Sequence, residues 1–325
     1  MKNNRKNKII CFLLGFFATT LSAALFFAYH LRKRSCYEPT RNIIVKQMDD
    51  DGFSQLLIDQ KISDNFVITK LSVKIMKLFK YSAKFGEYSL PRCVSLFKAI
   101  KVISSGKVVI HKITIPEGFT TVQVVRRLKK DENLLGDIEQ PPAEGSILPD
   151  TYCFKYPTKR QDIISTAQKA LQKYIQQEWP KRSRLCTLKN VDEALTLASI
   201  VEKETNIEKE MIAGVYLQRL KIGMRLQSCP TAIYAHKRGE RLGHSIKYRE
   251  LTINDPYNTY AHKGLPPTPI SNPGKSSILA VLHPLETENL FFAYEGEGKH
   301  VFSKTYEEHK RNIARIRHMD ISKVL

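Results

Sequence analysis

One helical stretch of this chain holds a carboxylate placed for acid–base chemistry. Residues 190–205 read NVDEALTLASIVEKET, with apolar positions at Val191, Ala194, Leu195, Ala198 and Val201. Glu202 lies four residues after Ala198 and seven after Leu195, so helical geometry puts it on the inward stripe. A carboxyl there is desolvated, which favours its protonated form, and a protonated carboxyl can donate to a leaving oxygen. Glu204 lies about 200° round the helix; together with Lys203 it is expected on the solvated side, away from the Glu202 site. The structural alternative for Glu202 is a buried ion pair with Arg219 or Arg225.

Other catalytic templates are absent from the sequence. There is no GxSxG, no HExxH and no Walker or Rossmann glycine pattern. His111, His244, His262 and His283 have no metal-ligand spacing, and no CxxC occurs among Cys11, Cys36, Cys93, Cys153, Cys186 and Cys229. No metal or cofactor is expected. The cysteine spacing assigns no disulfide, so free packed thiols are the default expectation.

The elements that must position Glu202 follow from local signals. Asn190 and Glu193 have capping-box spacing ahead of the apolar run. A second helix is predicted over 208–222, stopped by Gly223. Residues 255–274 (DPYNTYAHKGLPPTPISNPG) hold five prolines and two glycines, which excludes a regular element and marks a functional loop. Asn272-Pro273 then opens a helix with Pro at its first position. Residues 290–294 and 300–302 flank Glu-Gly-Glu-Gly, a hairpin signal, and Thr305 with Glu308 caps a last helix. Upstream, helices are predicted over 65–79, 93–104, 120–130 and 162–179, with strands over 84–90 and 107–115. The alternation indicates an α+β fold.

The N-terminus is different in kind. Residues 9–29 (IICFLLGFFATTLSAALFFAY) carry no charge and are long enough to span a bilayer as a helix. The run is too long for a secretory signal and lacks a small-residue cleavage site, so an uncleaved anchor is expected. Seven basic residues and no acid lie in the first 34. Without them the chain, +20 in all, still carries +13. That surplus favours an anionic partner. Nucleic acid is not the expected one, because no zinc-finger spacing, arginine-rich helix or repeated aromatic–basic platform accompanies the charge.

Several motifs in register now resemble one family. LASIVEKET (197–205), RLQSCPT (225–231), PYNTY (256–260), GLPP (264–267), NPG (272–274), ITIPEGF (113–119), EGSILPDTY (144–152) and GKHVFSKTYEEH are similar to the MltG (YceG-like) endolytic murein transglycosylases, in order along essentially the whole ectodomain. The resemblance implies a cytoplasmic tail (1–8), a transmembrane helix (9–29), a LysM-like subdomain (35–110) and a mixed α/β YceG-like catalytic domain (111–325). The implied site is the cytoplasmic membrane, single-pass, with the catalytic domain on the extracytoplasmic side. The implied reaction is cleavage of MurNAc–GlcNAc bonds within peptidoglycan glycan strands, leaving 1,6-anhydro ends, with Glu202 as the catalytic residue. The sugar's own 6-hydroxyl attacks, so a single carboxyl suffices. Gln227, Asn258, Tyr260 and Tyr152 are the expected substrate-binding residues, and peptidoglycan synthases are expected partners. One departure stands out: the family pattern commonly has Asp where this chain has Cys229. The alternatives are a weakly active, glycan-binding scaffold and an inverting hydrolase with Asp150 or Asp255 as base.

Overall fold

A computed structural model describes residues 2–36, 41–240 and 248–322. The chain forms two compact units: residues 1–111 with 154–157, and residues 112–153 with 158–325.

The first unit begins with α1 (Lys2–Arg32). Its stretch Ile10–Arg32 has a mean hydropathy of 2.2 with none of it buried, long and apolar enough to cross a membrane. Then follow β1 (Arg34–Cys36), β2 (Arg41–Val45), α2 (Asp50–Asp59), α3 (Phe66–Leu78), β3 (Gly86–Leu90), β4 (Cys93–Ser95) and α4 (Leu96–Ser105). β2 pairs antiparallel with β3, with Ile43 opposite Tyr88, and α2 and α3 lie between them in sequence. Ile43, Val45, Phe53, Leu57, Tyr88 and Ile100 close this unit's core. Gly106, at φ 73°, ends α4 in the left-handed conformation. The expectation of free thiols is corrected here: β1 pairs with β4, and opposite residues Cys36 and Cys93 form a disulfide. Spacing gave no sign of it, because the pairing that aligns the two cysteines joins segments 57 residues apart.

The second unit continues with β5 (His111–Thr114), α5 (Thr121–Lys130), β6 (Thr151–Phe154), α6 (Arg160–Glu178), α7 (Val191–Glu204), α8 (Lys209–Lys221), α9 (Cys229–Lys237), α10 (Tyr248–Leu251), α11 (Lys275–Leu282), the hairpin β7 (Phe291–Gly296) and β8 (Lys299–Ser303), and α12 (Tyr306–Ser322). β5 pairs with β6, and β7 pairs antiparallel with β8. The predicted strand over 107–115 is real only for its second half. The predicted caps are present: Thr120 makes a full capping box with Gln123, and Asn190 accepts the Glu193 N–H at 2.8 Å. The helix after the Pro-rich loop starts two residues later than predicted, with Gly274 as its cap.

α7 is the centre of this unit. Every residue from Thr196 to Glu202 is buried, packed among α6, α8 and α11 through Leu197, Ile200, Val201, Leu171, Ile212, Tyr216, Ile278 and Val281. A helix buried on all sides has no solvated face. Glu202 is therefore inside as expected, but for a different reason than a single apolar stripe.

Candidate active site

The C-terminal turn of α7 runs into a set of loops that the sequence motifs supply. Ser199, one turn before Glu202, accepts the Ile270 N–H through its hydroxyl (3.0 Å), and its carbonyl accepts the Ser271 hydroxyl (3.2 Å). The end of the Pro-rich loop is thus tied to the helix. Asn272, fully buried, accepts the Ile147 N–H (3.0 Å) and donates to the Phe119 carbonyl (2.9 Å). The 113–119, 144–152 and 272–274 motifs therefore meet at one asparagine. A buried amide with both ends satisfied fixes this geometry.

Glu202, 9% exposed, sits at that junction. Its Oε2 accepts the Gly274 N–H (2.9 Å) and the Ser277 hydroxyl (2.6 Å), both from the first turn of α11, where the helix dipole favours negative charge. Lys209 Nζ, itself buried, stands 3.4 Å from both carboxylate oxygens and donates to Ser276 Oγ at 2.9 Å. The ion-pair partner is thus Lys209, not an arginine. Arg219 instead donates to the carbonyls of Leu290 and Leu226.

Glu202 also borders open space. Glu202, Lys203, Glu204, Thr205, Tyr294 and His300 are among the residues lining an open cleft of roughly 430 Å³. This overturns the expectation that Glu202 and Glu204 cannot share a site. The angular argument applies along a helix, whereas α7 ends at Glu204, so both sides of its last turn border the space beyond its end. Glu204 is also not solvated. It is partly buried and accepts the hydroxyls of Tyr216 (2.6 Å) and Ser228, and burial pushes its carboxyl above the ordinary 4.5.

The other expected site residues separate into two kinds. Gln227 is exposed, at φ 50°, and its backbone N–H donates to the Thr259 carbonyl at 3.2 Å. Asn258, Tyr260 and Tyr152 point their polar groups into the protein. Asn258 is fully buried; it donates to the carbonyls of Leu251 (2.9 Å) and Ile253 (2.8 Å) and accepts the Tyr260 N–H (3.0 Å). The Tyr260 hydroxyl is 3.1 Å from Cys229 Sγ, and burial raises it strongly. Tyr152 donates to the Leu148 carbonyl at 2.5 Å and is likewise raised by burial. These three organise loops. Asp150 pairs with Lys275 at 3.1 Å, and Asp255 pairs with Arg238; neither lines the cleft. Among the described residues no group of His, Cys, Asp and Glu could hold a metal ion; His244 lies outside them.

Sequence reasoning missed Ser277, Lys209, Tyr294 and His300. Ser277 could have been found, as it follows the NPG turn at the third position of the helix. The others are brought in by tertiary packing alone.

The model of the YceG-like family matches residues 46–315. The chain belongs to the YceG-like family. An endolytic murein transglycosylase of Bacillus subtilis (strain 168) is 32% identical over 282 residues, covering 74% of this chain and 77% of the relative. One from Streptococcus pneumoniae serotype 2 (strain D39) is 28% identical over 301 residues, again 74% of this chain but only 54% of that longer protein. A crystal structure of a YceG-like protein from Listeria monocytogenes matches with a TM-score of 0.52 at 31% identity, over 84% of this chain and 99% of its own.

Proposed function

We propose that this chain is an endolytic lytic transglycosylase of peptidoglycan, with Glu202 as its acid and base. The observation that carries the reading is a single carboxyl held by the first turn of α11 at the wall of an open cleft, in a family whose relatives are named for that activity. Oε2 accepts from Gly274 and Ser277, so the proton transfer is assigned to Oε1, whose neighbour Lys209 stands at 3.4 Å. Glu202 gives this proton to the oxygen linking MurNAc to the next GlcNAc, and the C1–O bond breaks. The 6-hydroxyl of the same MurNAc closes on C1 and returns its proton to Glu202. No water is consumed, so no second residue need activate one. Gln227, exposed at the surface, is the proposed hydrogen-bonding residue for the acetamido sugar. Asn258, Tyr260 and Tyr152 support it by holding the loops.

In this reading residues 9–29 anchor the chain in the cytoplasmic membrane, 35–110 form a LysM-like unit and 111–325 the catalytic domain. The strand–helix–helix–strand order of β2, α2, α3 and β3 supports the second assignment. The Cys36–Cys93 disulfide supports placing the ectodomain outside the cytoplasm, where disulfides persist. Peptidoglycan synthases, which make the strand at that membrane face, are the proposed protein partners. Protease added to spheroplasts is expected to digest the ectodomain; full protection would reject the topology. The activity is tested by mass analysis of products from the full chain and purified glycan strands. Anhydro ends, lighter than hydrolysis products by one water, are expected. Hydrated ends would indicate a hydrolase, and binding without cleavage a scaffold.

A further inference from the structure

The 113–119 motif remains without a role in the mechanism above, and it places a second carboxylate beside Gly274, the residue whose N–H holds Glu202. Pro116-Glu117-Gly118 turns directly over the end of α7. Gly118, at φ 70°, has no side chain, and a Cβ added there would lie 3.4 Å from Glu202 Cγ and 3.5 Å from Lys203 Cδ. The turn is fixed to the site on both sides. The Gly118 N–H donates to the Asn272 carbonyl (2.9 Å), Asn272 N–H donates to the Phe119 carbonyl (2.9 Å), and Lys203 Nζ reaches the Gly118 carbonyl at 3.3 Å.

The position of Glu117 follows from this. Its carboxylate lies against the α-carbon of Gly274: an added Cβ would sit 1.9 Å from Glu117 Oε1 and 2.1 Å from its Cδ. Gly274 is also the residue whose N–H holds Glu202. The two carboxylates thus flank one glycine, one bonded to its nitrogen and the other over its α-carbon. Glu117 is exposed and lines a concavity of roughly 290 Å³ with Ile115, Asp150 and Lys275. There Lys275 is paired with Asp150 at 3.1 Å, and Glu117 makes no hydrogen bond or ion pair among the described residues.

We propose that Glu117 is a second catalytic residue: the reacting sugar lies across Gly274, between the Glu202 cleft and the hollow lined by Glu117, and the Glu117 carboxylate stabilises the positive charge developing at its anomeric carbon. The proposal rests on the transglycosylase reading and deepens it. Glycosidic cleavage passes through an oxocarbenium-like transition state. While Glu202 holds its proton it offers that cation no charge, and Lys209 beside it has the wrong sign. A fixed anion aimed where charge develops acts in the transition state more than in the ground state. Glu117 forms no covalent bond. The electron pair of the C1–O bond leaves on oxygen with the Glu202 proton, and the 6-oxygen supplies the new bond to C1.

The test compares the full chain in detergent with Glu117→Gln and Glu117→Asp. Cleavage of glycan strands is followed together with binding of two ligands of equal length. One is a neutral glycan fragment; the other carries a protonated iminosugar in place of the reacting ring. Glu117→Gln is expected to lower kcat about tenfold or more with KM nearly unchanged. It is expected to weaken iminosugar binding by a similar factor, leave the neutral glycan alone, and keep its melting temperature. Glu117→Asp is expected to recover part of both losses. Unchanged kcat, or equal loss of both ligands, overturns the proposal while leaving the reading of Glu202 intact. A parent chain that releases no anhydro ends overturns the reading and the proposal with it.

Discussion

Glu202 and Glu204 stand two residues apart in the last turn of α7, and the protein surrounds them differently. On the Glu202 side the partners are a backbone N–H and a hydroxyl from the start of α11, with Lys209 opposite. On the Glu204 side they are the hydroxyls of Tyr216 on α8 and Ser228 just before α9. The first set holds a carboxylate at a helix N-terminus, with both short hydrogen bonds on Oε2 and Lys209 3.4 Å from Oε1. The second ties three segments together and raises the carboxyl by burial. Two identical side chains on one cleft are thus given different surroundings, and in the proposed reading separate work, by their neighbours rather than by their place on the helix.

The sharpest way to break this contrast is to remove the titratable proton from each side. Glu202→Gln keeps size and one acceptor, so folding is expected to survive while cleavage falls by about 10²–10⁴-fold, measured by chromatography of released fragments. A Glu202→Gln protein with near-parent activity would place the chemistry elsewhere. Ser277→Ala removes one of two donors on Oε2. Turnover is expected to fall about tenfold with a stability loss of about 1 kcal/mol, read from kinetics and urea unfolding together.

Glu204→Gln is expected to show itself in stability before activity. A carboxyl raised on folding means the native protein binds more protons than the unfolded chain in the window between 4.5 and its folded value. Parent stability therefore falls as pH rises through that window. The amide cannot ionise, so the variant's thermal unfolding is expected to depend less on pH, with the remaining slope partly from Glu144, which burial also raises. Turnover loss below that of Ser277→Ala is the expected companion result. The smallest effect is expected from Cys229→Asp, which restores the commoner family residue beside Tyr260. A change in barrier of no more than about 1 kcal/mol, roughly fivefold in rate, fits a loop-supporting position. A gain of a hundredfold would mean this chain is an impaired member of its family.

Much of the local structure was legible before any coordinates. Asn190, Thr120 and Gly106 each mark a helix end through a backbone requirement that a few residue types meet. The Pro-rich loop announced itself by what its residues cannot do. The site was legible only in part. Glu202 could be singled out by position, yet its inward placement comes from a helix buried on every side. Asn258, Tyr260 and Tyr152 have the hydrogen-bonding capacity of sugar-binding residues, and sequence does not say which way that capacity points. The fold turns all three inward, because buried loops have carbonyls and N–H groups to satisfy. Of the four, only Gln227 is exposed.

The sequence by itself determined the apolar N-terminal helix, the alternation of elements, the caps and the family motifs, because each depends on neighbours a few residues away. Only the tertiary structure decided that Cys36 meets Cys93, that Lys209 rather than an arginine faces Glu202, and that Glu117 and Glu202 share Gly274 between them. These contacts join residues 57, 7 and 85 positions apart. Even the shortest crosses the break between α7 and α8, where helical periodicity no longer says which side chains meet.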